Sequence, residues 1–158
     1  MVPTDREALT RRVAELLDGP LDRPGPLRLA GVGSLALGRH DEAARLLERS
    51  LALADDRYAV AVHINLGDAH RYQGRLEAAE THYQEALRLA ESSAPHMRYS
   101  CFQHLGKQRL DQDRTPEARA LLESAAGEQA VKDDPAISAA TQAVLRLIED
   151  AEAAERAN

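Results

Sequence analysis

The sequence predicts an all-α chain of consecutive helix pairs, on three observations. Apolar and small residues recur three and four positions apart, the period of one helix face. His63, Leu66, Gly67 and His70 follow that spacing, and so do Ala79, Tyr83, Ala86 and Leu87. Glycine stands in the middle of three such stretches, at Gly31, Gly67 and Gly106. There it costs about 1 kcal/mol against alanine, a cost that makes sense where a second helix must come very close. Finally, hydrophobic residues are 44% of the chain but aromatics only 3%, and β-branched runs are absent. Such a core is built from Ala and Leu, which suits tightly packed helices rather than a sheet.

Taken in order, Thr4 to Leu17 reads as an amphipathic helix with a Thr4–Glu7 capping box. Its apolar stripe is Leu9, Val13, Leu16 and Leu17, and Asp18-Gly19-Pro20 ends it. Residues 19–26, GPLDRPGP, read as a linker stiffened by three prolines. Three helix pairs follow, placed at 27–37 with 40–54, 57–73 with 75–91, and 96–111 with 115–129. Gly74 punctuates the central turn, since glycine accepts positive φ without strain. Thr115-Pro116-Glu117 marks a helix start, and Ser92 to Pro95 breaks the chain between pairs. Asp134-Pro135 opens the last helix, with Ile137, Thr141, Val144, Leu145 and Ile148 as its inner face. The expected organisation is one domain over 1–158: an N-terminal helix at 4–18, the linker, repeats over 27–130, and a capping helix at 134–156.

The central pair has two copies. Moving back 36 residues takes Gly67, Gly74, Ala79, Tyr83 and Leu87 to Gly31, Gly38, Ala43, Leu47 and Leu51. Moving on 39 takes Leu66-Gly67, Ala79, Tyr83 and Ala86 to Leu105-Gly106, Ala118, Leu122 and Ala125. Leu-Gly early, Ala later, an aromatic four residues on and Ala three after that resembles the tetratricopeptide repeat family, over roughly residues 26–130. The third copy departs from that pattern at Asp113, which stands where the turn glycine belongs, and at Gly127, which weakens its second helix. The resemblance implies a right-handed superhelical solenoid of three pairs with a capping helix at each end.

Other chemistry is sparse. The net charge of −6 and the lack of a long basic run argue against nucleic-acid binding. Cys101 is the single cysteine, which fits a reducing compartment, and no stretch approaches a membrane span. The N-terminus has no apolar core for a signal peptide, so the cytoplasm is expected. His63 and His70 share a helix face at repeat positions normally filled by aromatics, and no carboxylate or Cys completes a ligand set on that face. They read as packing residues, and neither a metal nor a cofactor is expected. Cys101 and His104 lack a third orienting residue, so no nucleophile is expected there and the chain is not expected to be an enzyme.

A binding surface remains. The resemblance implies that the first helix of each pair lines a concave wall that holds a partner's peptide. Carrying the register over places Arg28 on that wall from the first copy. The second copy gives Ala61, Ile64, Asn65, Asp68, Arg71 and Tyr72, and the third gives Ser100, Gln103, His104, Lys107 and Asp111. The family's carboxylate clamp is matched at Asn65, and Arg28 can replace a Lys, but Val32, Ser100 and His104 depart from it. The expected function is a protein–protein interaction module, an adaptor or regulatory scaffold. A self-associating scaffold pairing through its end helices is the first alternative, and a small-ligand sensor the second. Leu29, Val32 and Leu35 are unusually apolar for a groove wall, so the N-terminal helix is expected to cover them.

Overall fold

A computed structural model describes residues 5–157, and every regular element in it is helical. The elements are α1 (Asp5–Asp18), α2 (Pro24–Ala36), α3 (His40–Leu53), α4 (Asp56–Tyr72), α5 (Leu76–Ser93), a 3₁₀ turn (Pro95–Met97), α6 (Arg98–Asp111), α7 (Thr115–Gly127), α8 (Gln129–Lys132) and α9 (Pro135–Arg156). Thr4, and with it the expected capping box, lies outside the described residues. The chain divides into two compact units, residues 1–89 and 90–158, with the boundary inside α5.

Three boundaries differ from the sequence reading, each for a local reason. The linker is shorter than expected because α2 begins at Pro24 and takes Pro24 and Pro26 into its first turn. Proline fits there because those N–H groups have no helical partner. Pro95 likewise opens a 3₁₀ turn before α6. After Gly127 the chain turns extended at Glu128 before the short α8; glycine is a poor helix former and allows the break. Two aspartates cap helices with their carboxylates. Asp55 accepts from Tyr58 N at 2.8 Å, and Asp134 accepts from Ala136 N at 2.9 Å and Ile137 N at 3.1 Å.

The three repeats end their first helices identically. Gly38 and Gly74 have φ of 78° and 72°, and Asp113 takes the same place at 57°. Each closes a Schellman motif. Arg39 N donates to Ser34 O, Arg75 N to His70 O, and Arg114 N to Arg109 O, at 2.9, 2.9 and 2.8 Å. Left-handed backbone costs a non-glycine residue roughly 1–2 kcal/mol, aspartate less than most. Asp113→Gly is therefore expected to raise the melting temperature slightly, and Gly74→Ala to lower it by the equivalent of about 1 kcal/mol. Paired calorimetric melts check both signs.

In the first unit, Leu47 of α3 packs with Val62, Leu66 and Ala69 of α4, joined by Leu35, Ala44, Leu51 and Tyr58. A second cluster joins Leu27 and Ala30 of α2 to Leu46 of α3, under Leu16, Leu17 and Leu21. Each fully buried Leu or Val contributes about 1.5–3 kcal/mol. Val13 of α1 is 1% exposed and sits over Gly33, where an added Cβ would collide with its Cγ2. Arg6 of α1 donates to Leu37 O at 3.1 Å, beyond the end of α2. So α1 packs on α2 much as α3 packs on α4. In the second unit, Leu145 and Ile148 of α9 pack on Leu122 of α7, with Val144, Leu110 and Ala126 around them. Thr141 is buried as well, which gives the capping helix the inner face expected of it.

The mid-helix glycines mark the closest approaches. An added Cβ on Gly31 would stand 2.8 Å from Leu47 Cγ, and one on Gly106 3.0 Å from Leu122 Cγ. On Gly67 it would stand inside the Tyr83 ring. All three partners lie sixteen residues further on, so the repeats share one internal packing register.

Candidate partner-binding site

The wall residues of the first unit come together on α2 and α4. Arg28 donates from Nε to Tyr58 Oη at 3.1 Å and from Nη1 to Asn65 Oδ1 at 3.2 Å. Its guanidinium also lies 5.6 Å from the Tyr58 ring centre. This anchors Asn65 through its oxygen and leaves the amide NH₂ as an outward donor. Beside it, Val32, Leu35, Ala36, Asn65, Asp68 and Tyr72 line a recess of about 310 Å³. Tyr72 is 55% exposed, high for a large ring. The Arg71 guanidinium lies 5.0 Å from its ring centre, a cation–π distance.

Several expected wall residues have other tasks. Ile64 is only 4% exposed: it lies four residues after Val60 and four before Asp68, on the buried face of α4, and is a core residue rather than a surface one. Asp68 is mostly buried and accepts from Tyr83 Oη at 2.7 Å while one edge reaches the recess. Burial, and then the Asp68 charge, push the Tyr83 phenol far above its usual range. Arg71 acts on the same phenol and pulls it down, so Arg71 belongs partly to this buried network. Ala61 is half-buried.

Ser100, Gln103, His104, Lys107 and Asp111 all lie on α6, in the second unit. Gln103 donates to Thr141 Oγ1 of α9 at 2.7 Å, so the capping helix occupies a side chain that the sequence reading assigned to the wall. Ser100 and His104 are half-buried, whereas Lys107 and Asp111 are exposed. Cys101, beside them, is fully buried, and burial pushes its thiol up to about 12, so it stays protonated and unreactive.

The N-terminal helix covers the first-copy wall only in part. Leu9, Val13 and Leu16 of α1 share an apolar recess of about 300 Å³ with Leu29, Val32, Gly33 and Ala36. Leu29 remains 51% exposed, and Leu35 packs against the Leu47–Leu66 cluster while also lining the recess beside Tyr72.

The sequence reading missed a histidine cluster. His63 of α4 and His82 of α5 bring their Nδ1 atoms to 3.0 Å, and His70 stacks on His82 with ring centres 5.3 Å apart and planes 7° apart. Burial lowers the pKa of all three, and the neighbouring imidazoles help to bring His82 to about 4. The native state thus favours neutral His82, whereas the unfolded chain takes up its proton near pH 6.5. Stability from this group is complete above pH 6.5 and is lost as pH falls from there towards 4. After allowing for solvent screening, the expected loss is on the order of 2 kcal/mol. Chemical denaturation at pH 7 and pH 4.5 should show it, and His82→Gln should flatten the difference.

The repeat geometry agrees with comparison to known proteins. Residues 27–92 match the tetratricopeptide repeat family. Among solved structures, the chain is similar to BtubC (BKLC) from P. vanneervenii, with a TM-score of 0.71 and 23% identity. That match covers 94% of this chain and 63% of the other, so this chain spans less than two thirds of that protein's length. It is also similar to a chain of a T3SS complex from Aeromonas hydrophila, with a TM-score of 0.65, 18% identity and coverage of 92% and 95%. PcrH, solved in complex with the chaperone binding region of PopD, gives a TM-score of 0.59 and 17% identity over 96% of this chain and 99% of that one. No curated protein matches the chain. The match over residues 27–92 is to the tetratricopeptide repeat, and the chain has the all-helical repeat fold of its structural neighbours.

Proposed function

We propose that this protein is a non-enzymatic, cytoplasmic interaction module, an adaptor or regulatory scaffold that holds a peptide segment of another protein on the wall formed by α2 and α4. The observation that carries the proposal is the recess beside Tyr72. It pairs the apolar Val32, Leu35 and Ala36 with the Asn65 amide and an exposed aromatic ring. An extended or helical segment needs both parts: a pocket for an apolar anchor, and a fixed donor for a main-chain carbonyl. Exposed Tyr beside Arg is also the composition of binding hot spots. Arg28 and Arg71 favour an acidic group near that anchor. The solved complex of PcrH with a region of PopD supports this reading, since a protein of this fold there holds part of another protein.

Peptides selected from a displayed library against the full chain provide the test. Tyr72→Ala and Asn65→Ala should each weaken the selected peptide by about 1–2 kcal/mol, roughly five- to thirty-fold, with little change in melting temperature. Arg71→Glu suits the test less well, because it would place a carboxylate beside the buried Asp68–Tyr83 pair. Glu85→Ala, on α5, is the control; weakened binding in the control with none in the two wall variants would refute the assignment.

A further inference from the structure

The pair His63 and His82 has the geometry of a chelate. Their Nδ1 atoms stand 3.0 Å apart across α4 and α5, with ring planes 38° apart. Two nitrogens that share one ion at about 2.0–2.1 Å each lie roughly 2.9–3.4 Å apart, for bond angles between square-planar and tetrahedral. His70 stacks on the His82 ring, which holds its plane, and its own Nδ1 is buried without a hydrogen-bond partner. In the ion-free protein one Nδ1 must donate a proton to the other. A bound ion would move that proton to Nε2 of the same ring, so both imidazoles stay neutral and both Nδ1 lone pairs face the metal.

We propose that His63 and His82 bind one borderline divalent cation of the zinc, nickel or copper class and thereby clamp α4 to α5 in the central repeat. Imidazole nitrogen selects these ions over magnesium and calcium, which prefer oxygen. Among the described residues no group of three or more His, Cys, Asp or Glu is gathered to hold an ion. The site is therefore a two-nitrogen one, with water in the remaining positions. Burial lowers the basicity of both rings, the direction that suits two neutral imidazole donors. The charges around it nearly balance: Glu85 and Arg88 act on His63, and Glu48 and Arg75 on His70.

Zinc is titrated into the full chain at pH 7.5 against a chromophoric chelator, alongside His63→Gln, His82→Gln and the surface control His96→Gln. The parent and His96→Gln should bind one ion per chain and melt several degrees higher with zinc but not with magnesium. Each of the two site variants should bind at least tenfold more weakly and lose the zinc-dependent shift. Circular dichroism reports whether they are folded. If either is not, zinc protection from histidine-specific acylation in the parent, located by mass spectrometry, replaces it: protection of His63 and His82 together supports the site. An absence of zinc binding, tight binding retained in both site variants, or protection confined to other histidines would overturn it.

Discussion

Gly67→Ala should lower the melting temperature by roughly 5–10 °C, the largest effect expected of any single methyl group in the chain. Alanine is the better helix former, so propensity alone predicts a gain of about 1 kcal/mol. Packing predicts the reverse. The added Cβ would fall inside the ring of Tyr83, which is fully buried and tied to Asp68 by a 2.7 Å hydrogen bond. A ring held in this way cannot rotate aside, so helix α5 must move, at a net cost of about 2–3 kcal/mol. In Gly31→Ala and Gly106→Ala the nearest atom is a leucine Cγ, at 2.8 and 3.0 Å, and the two should cost progressively less. Gly67→Leu should not fold. The double variant Gly67→Ala/Tyr83→Leu removes the ring that the added methyl would enter and should recover part of the loss. Calorimetric melts of the series decide it, and a Gly67→Ala protein as stable as the parent would show that the close approach is not a constraint.

Removing residues 1–20 should produce a chain that associates and melts about 6–12 °C lower, the equivalent of about 3 kcal/mol. The deletion takes away Val13, Leu16 and Leu17, which cover Gly33, Leu27, Ala30 and Leu46. It also removes the Arg6 hydrogen bond to Leu37 O. The uncovered surface is continuous with the already exposed Leu29, so the new apolar patch is large enough to drive association. Light scattering across a concentration series, together with melts, measures both effects. A truncated protein that stays monomeric with an unchanged melt would show that α1 contributes nothing to the fold.

The packing skeleton was legible in the sequence because it is repetitive. Gly31, Gly67 and Gly106 recur in register with Leu47, Tyr83 and Leu122, and each copy reports on the others. The Asp134 cap and the inner face of α9 were legible from local rules of capping and periodicity. The wall was less so, because the repeat register assigns a helix and a position but not what lies opposite. Ile64 belongs to a half-polar stretch in which only the neighbouring helices decide its burial, and Gln103 is claimed by Thr141, thirty-eight residues away. The histidine cluster was missed for the same reason: His63 and His70 share one helix face, but His82 comes from the next helix. Its signal was available in the register, since His82 precedes Tyr83, the residue that packs against Gly67.

Amide and side-chain resonances of the labelled 17.3 kDa chain, followed while a selected peptide is added, test the central claim most directly. The α2–α4 wall predicts that shifts concentrate at Val32, Leu35, Asn65, Asp68 and Tyr72, with the Asn65 side-chain amide moving downfield as it donates to the peptide. Shifts confined to the outer faces of α3 and α5, with the Asn65 amide unmoved, would contradict it.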